Sequence, residues 1–144
     1  MRFENKGVLV TGATGGIGRE TCLQFAAEGA AVAVTDLDLS LAERLANEIE
    51  EKGGRAVGYE LDVTNQEQTD AVVNQAATDL GSIDIIFCNA GIREIQPAHQ
   101  LPLDEWKNVI EVNVTGVFVS AQSFAKHCIS ESKPGVIINT ASTL

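Results

Sequence analysis

The stretch GVLVTGATGGIGRE, residues 7–20, sets a short apolar run against a glycine-dense turn and then a charged segment of helical character. Five of the twelve residues from 7 to 18 are glycine. Each adds unfolded-state entropy that folding must overcome. Glycines concentrated between a strand and a helix imply that something has to come close to that backbone.

Outward from this stretch, apolar β-rich runs alternate with segments of helical period, which is the βαβ pattern. A strand is expected over 7–11, followed by a helix carrying Ile17, Cys22, Phe25 and Ala26 on one face and stopping at Gly29. AVAVTD, 31–36, has the continuous apolar composition of a strand covered on both faces. SLAE, 40–43, reads as a capping box opening a helix with Leu41, Leu45 and Ile49, which Gly53 and Gly54 end. A third strand falls at about 56–61. TNQE, 64–67, is a second capping box, before a helix with Val72, Val73, Ala76 and Leu80 inward and Gly81 as its stop. IDIIFCNAG contains a fourth strand ending in a glycine turn, 104–130 reads as one or two helices, and GVIINTAS supplies a fifth strand. Strands separated by helices in this way require parallel pairing through right-handed crossovers. The fold class is α/β, a Rossmann-like doubly wound parallel sheet of order 3-2-1-4-5 ending after the fifth strand. Residues 1–144 form one domain with no internal boundary.

The totals restrict the function. A chain of 144 residues buries roughly two-thirds of the surface its unfolded form exposes, enough for a single core. The net charge of −10 and the lack of any Lys/Arg cluster argue against nucleic acid and anionic membrane as partners. Cys22, Cys88 and Cys128 are odd in number and widely spaced, which disfavours a disulfide framework or a metal site. They read as small buried apolar residues in a reducing compartment. No signal-peptide core and no apolar run long enough for a membrane helix is present, so a cytoplasmic, soluble protein is expected.

In doubly wound sheets, ligands bind beyond the carboxyl ends of the strands, and the first turn opens at a helix N-terminus that favours an anion. Gly12, Gly15, Gly16 and Gly18 occupy that turn. A pyrophosphate can reach their backbone directly, and the last glycine lets helix and strand pack closely. No Gly-Lys-Ser/Thr follows, so this is not a P-loop. Asp36 ends the second strand 18 residues past Gly18, where a carboxylate accepts hydrogen bonds from an adenosine ribose and repels a 2′-phosphate. With Leu37 after Asp36 and Gly15 before Gly16, no basic neighbour is there to hold NADP, and NAD is preferred. Asp62 either approaches the adenine or caps the next helix. To this point the residues describe a mononucleotide or dinucleotide site, which S-adenosylmethionine-dependent methyltransferases share in outline.

TGATGGIG resembles the T-G-x-x-x-G-x-G turn of the short-chain dehydrogenase/reductase family. The same letters also fit T-G-x-x-G-x-x-G, the turn of the extended branch that includes sugar-nucleotide epimerases, so the turn alone does not choose. NAG at 89–91, LDV at 61–63, EWKNVIEVNVTG with Trp106, Asn113 and Gly116, and GVIINTAS match the shorter branch, over essentially the whole chain. The resemblance implies hydride transfer between a nicotinamide cofactor, NAD, and a secondary alcohol or ketone, in a protein that forms a dimer or tetramer when complete. The cofactor set it implies is Gly12, Thr14, Gly15, Gly16, Ile17, Gly18, Asp36, Leu37, Asp62, Val63, Asn89, Ala90 and Gly91. By the same resemblance Asn113 orders a water in the proton relay and Ser142 hydrogen-bonds the reacting oxygen, while Ala141 stands where a first serine is common. Trp106 is assigned to packing, Arg93 and Glu94 to the surface bordering the substrate entrance, and His99 and His127 to a loop and a helix end.

One family feature is missing. The general acid/base of these enzymes is a tyrosine in Y-x-x-x-K roughly a dozen residues beyond the serine. Here the only tyrosine is Tyr59, and Val63 stands where that lysine would be. Members of the shorter branch run to about 250 residues, so the chain matches their cofactor-binding part. Without that helix, the edge of the fifth strand and a face of the long helix are expected to be exposed.

Overall fold

The computed structural model describes residues 1–142. Its strands are β1 (Gly7–Val10), β2 (Ala31–Asp36), β3 (Arg55–Glu60), β4 (Ile85–Cys88) and β5 (Val136–Asn139). The helices are α1 (Gly16–Ala27), α2 (Leu39–Glu51), α3 (Gln66–Leu80), α4 (Leu103–Ile110) and α5 (Gly116–Ser130), the last two joined by a π-helical turn, Glu111–Thr115. All strands are parallel, in the order β3-β2-β1-β4-β5. This is the expected Rossmann-like sheet. The chain reverses its direction of winding between β3 and β4, so β1 and β4 lie side by side and their exits frame the switch point.

The two faces of the sheet carry separate cores because side chains alternate along each strand. Val8, Val10, Val32 and Val34 pack with Cys22 of α1 and Ala42, Leu45, Ala46 and Ile49 of α2. Leu9, Ala33, Ile86 and Cys88 pack on the other side with Val73, Ala76 and Leu80 of α3 and Phe124 and Cys128 of α5. Every residue of β1 is buried, which accounts for its lack of polar side chains. The strand expected at 7–11 ends one residue early, ahead of the turn into Gly12 at φ +57°, and the buried Thr11 turns its hydroxyl toward the β4 exit.

Both helix starts differ from the expected capping boxes. Asp38, not Ser40, caps α2: its Oδ1 accepts from the Ser40 and Leu41 amides at 2.9 and 3.2 Å and from the Ser40 hydroxyl at 2.6 Å. An ionised cap satisfies orphan amides and complements the helix dipole together, and that advantage displaces the serine. Asn65, not Thr64, caps α3 through the Gln68 amide at 3.0 Å. Ile17 and Leu41, expected on inward faces, are 66% and 38% exposed. Trp106, expected to pack, is 52% exposed on α4. It belongs to an apolar stripe with Leu103, Val114 and Phe118 that nothing among the described residues covers, and β5 is likewise exposed along the sheet's edge.

At the opposite end of the sheet Asp84 ties β1 to β4. Its Oδ2 accepts from the Gly7 amide at 2.9 Å and the Ser82 hydroxyl at 2.8 Å, and Lys6 Nζ stands 3.4 Å from Oδ1. Desolvation is the largest single influence and raises its pKa, but these bonds and the Lys6 charge together outweigh it and hold the carboxyl below its ordinary value. A carboxyl lowered by folding adds stability that is complete above its unfolded value near about 4 and is lost as pH falls through the folded one. Asp84→Asn is therefore expected to flatten the acid limb of urea midpoint against pH below about pH 4. An unchanged limb would contradict this account of the tie.

Candidate functional site

Beyond the carboxyl ends of β1, β2, β3 and β4 lies a groove of about 870 Å³. Its lining includes Gly12, Thr14, Gly15, Gly16, Ile17, Asp36, Leu37, Asp62, Val63, Asn89, Ala90 and Gly91, so twelve of the thirteen sequence-predicted cofactor residues meet there. The thirteenth, Gly18, lies beneath the turn. Leu61, Ile92 and Val112 complete the lining with Arg93. Those three apolar residues were passed over because a reading that weighs glycines and polar groups gives apolar side chains no chemistry. Leu61 within LDV, and Ile92 directly after NAG, were the available signals.

The glycines divide into two kinds. Gly12 has φ +57°, and a Cβ on it would stand 2.7 Å from Ala90 Cα. A Cβ on Gly18 would run into the Gly12 carbonyl oxygen and stand 2.9 Å from Asn89 Nδ2. These two let the turn, α1 and the β4 exit pack together. Gly15 and Gly16 are not held by packing: a Cβ on Gly16 meets nothing within 4 Å, and one on Gly15 meets only the Gly12 carbonyl oxygen at 3.6 Å. Their absent side chains leave bare backbone on the groove floor. Gly15 is the N-cap of α1, no side chain caps that helix, and its first turn holds no acid. The first-turn amides and the positive end of the dipole therefore face the groove with nothing competing for an anion.

The turn is stapled to its neighbours. Ala13 N donates to the Thr35 carbonyl at 2.9 Å. The Thr11 hydroxyl accepts from the Asn89 and Ala90 amides, each at 3.0 Å, and Asn89 Nδ2 donates to the Thr11 and Gly12 carbonyls at 3.1 and 3.0 Å. Asn89 thus braces the β1 exit against the β4 exit. At the groove's other end Asp36 Oδ2 accepts from the Thr14 amide at 3.1 Å and the Thr14 hydroxyl at 2.7 Å. Asp62 does not cap α3: its Oδ1 accepts from the Thr64 amide and hydroxyl at 2.9 and 2.7 Å, closing a local turn beside the groove.

Asn113 lies in the π-helical turn rather than in regular helix. Its Oδ1 accepts from the Ile92 amide and its Nδ2 donates to the Ile92 carbonyl, both at 2.8 Å. The side chain thus clasps the loop leaving β4, and one N–H and one lone pair remain for a further partner. Ser142 follows β5, whose register with β4 runs to Cys88 beside Asn139, so it emerges at the same edge as the turn 89–91. Thr140 N donates to the Cys88 carbonyl at 3.1 Å, extending that alignment.

Among the residues lining the groove the ionisable groups are Asp36, Asp62 and Arg93. Tyr59 is elsewhere, in β3, with its hydroxyl donating to Asp79 Oδ2 at 2.8 Å. Burial and then the Asp79 carboxylate raise its pKa, so the phenol stays protonated. Burial also pushes the Cys22 thiol up to about 12 and the Cys88 thiol to about 11, which leaves both inert.

The family model described as short chain dehydrogenase matches residues 6–144. Cyclohexanol dehydrogenase of Acinetobacter sp. (strain SE19) is 36% identical over 142 residues, covering 98% of this chain and 56% of that protein. A short-chain type dehydrogenase/reductase from Mycobacterium marinum superposes with a TM-score of 0.93 at 39% identity, over 97% of this chain and 57% of that one. An NAD+-bound xylitol dehydrogenase gives a TM-score of 0.92 at 37% identity, over 99% of this chain and 55% of that one. The chain spans a little over half the length of each.

Proposed function

The chain belongs to the short-chain dehydrogenase/reductase family, and on that footing we propose that it forms the NAD-binding part of an enzyme that interconverts a secondary alcohol and a ketone. The observation that carries this reading is the uncapped start of α1, floored by Gly15 and Gly16, with the Asp36 carboxylate at the end of the same groove. The relatives named as cyclohexanol and xylitol dehydrogenases support the choice of alcohols.

In this reading the first-turn amides of α1 bind the pyrophosphate, Asp36 accepts the adenosine ribose hydroxyls, and Asp62 and Val63 border the adenine. Leu37 and Ile17 cover the ligand with apolar surface, and Asn89, Ala90 and Gly91 line its far half. When bound, the nicotinamide supplies the hydride acceptor or donor. Ser142 hydrogen-bonds the substrate oxygen, and Asn113 fixes the loop at Ile92 while its remaining N–H and lone pair hold a water. Three buried free thiols fit a reducing cytoplasm. Among the described residues no helix is long and apolar enough to cross a membrane. The uncovered stripe on α4 and α5 fits a complete form that assembles as a dimer or tetramer.

Calorimetric titration tests the cofactor reading directly. NAD is expected to bind saturably and NADP about tenfold or more weakly, because a 2′-phosphate would meet the Asp36 charge with no cation nearby. Asp36→Ala is expected to erase most of that difference. Equal affinity of the unaltered chain for both would remove the NAD preference, and binding of neither would sink the site.

A further inference from the structure

Among the described residues the carboxylate of Asp36 is held from one side only. A carboxylate has about four lone-pair sites, two on each oxygen. Thr14 fills both of those on Oδ2, with its amide at 3.1 Å and its hydroxyl at 2.7 Å. The Asp36 backbone is fixed as well, since its carbonyl accepts from the Leu61 amide at 2.8 Å and Asp36 pairs with Glu60 across the sheet. Thr14 cannot drift away, because the preceding residue is anchored by the Ala13 bond to Thr35 at 2.9 Å. Among the described residues Oδ1 accepts no hydrogen bond, which leaves it two lone pairs in a residue that lines the groove, the capacity a vicinal diol requires.

We propose that Thr14 is the positioning residue for NAD selectivity: it fixes Asp36 through Oδ2 so that Oδ1 alone takes both adenosine ribose hydroxyls. The inference rests on the reading of Asp36 as the ribose acceptor. It goes further by giving the threonine two linked effects. The hydroxyl orients the carboxylate for the diol, and both Thr14 donors, spent on that carboxylate, are withheld from a 2′-phosphate. Discrimination therefore comes from a pair of residues 22 positions apart, joined across the turn and the end of β2.

The test is a double-mutant cycle on the 144-residue polypeptide, with NAD and NADP affinities from calorimetry and thermal midpoints for each variant. Thr14→Ala is expected to weaken NAD about tenfold or more, the scale of losing one hydrogen bond to a charged acceptor, with little change for NADP. Thr14→Ser, which keeps the hydroxyl, restores the ratio of the two affinities. In an Asp36→Ala background, Thr14→Ala is expected to add nothing. A loss by Thr14→Ala that is equal for NAD and NADP, or that persists undiminished in the Asp36→Ala background, would overturn the proposal, since it would mean that Thr14 only shapes the phosphate turn. If Asp36→Ala changes the ratio and Thr14→Ala does not, the ribose reading stands and the role of Thr14 fails. If Asp36→Ala leaves the ratio untouched, the ribose reading itself fails, and this proposal with it.

Discussion

Purified residues 1–144 are expected to bind NAD yet form NADH from secondary alcohols at no more than a trace rate. Oxidising an alcohol requires its hydroxyl proton to leave as hydride departs from carbon, and a positioned acid/base with a pKa near the working pH contributes roughly 10²–10⁴-fold. Among the described residues the groove offers no such group. The Asp36 and Asp62 side chains are engaged by Thr14 and Thr64, the Arg93 guanidinium has no acceptor, and Tyr59 is held protonated by burial and Asp79 in β3. In the reducing direction the same lack would leave an alkoxide without a proton donor, and Ser142 and Asn113 can only hydrogen-bond to it. The measurement is a calorimetric isotherm for NAD beside NADH fluorescence over a panel of secondary alcohols. Saturable binding without turnover is the expected outcome, and it would also fit a module that binds NAD without catalysis. Robust turnover by this polypeptide would show that a proton path exists which the groove does not contain.

The sheet was legible because its information is local. Three apolar runs, in β1, β2 and β4, carry the valines, isoleucines and alanines that strands buried on both faces require, and α2 and α3 start at polar caps. The glycine turn and Asp36 were legible for the same reason, since backbone exposure and a strand-end carboxylate are properties of the residues themselves. What sequence could not supply was partnership. Which of two neighbouring polar residues caps a helix depends on which side chain reaches the amides first, and Asp38 and Asn65 won over Ser40 and Thr64. Asn113 stood out as a motif residue, but its engagement with Ile92 joins positions 21 apart through a π-helical turn that no periodicity marks. Trp106, assigned to packing, is half exposed, and whether such a residue packs depends on what covers α4, which its own neighbours in sequence do not state.

Gly18→Val and Gly16→Val are expected to fail in opposite ways although the two glycines are two residues apart. At Gly18 a side chain must displace the Gly12 carbonyl and stand 2.9 Å from both Ala13 Cα and Asn89 Nδ2. Two of those are backbone, pinned by the Ala13 and Asn89 bonds that join β1, β2 and β4. Overpacking against atoms that cannot move is expected to cost about 3 kcal/mol, read as a lower urea midpoint, with cofactor binding lost along with the fold. At Gly16 a Cβ would meet nothing beyond its own helix and chain neighbours within 4 Å, and the position begins α1, where replacing glycine displaces no packed neighbour and removes unfolded-state entropy. Stability is expected to hold or rise while NAD affinity drops by more than about tenfold, because the methyl groups stand where the backbone must meet the pyrophosphate. Glycine density alone would predict equal sensitivity at both positions. A Gly16→Val variant that keeps full NAD affinity would place the phosphates elsewhere than over the start of α1, whereas a stable Gly18→Val variant would mean that α1 can retreat from the turn without the sheet noticing.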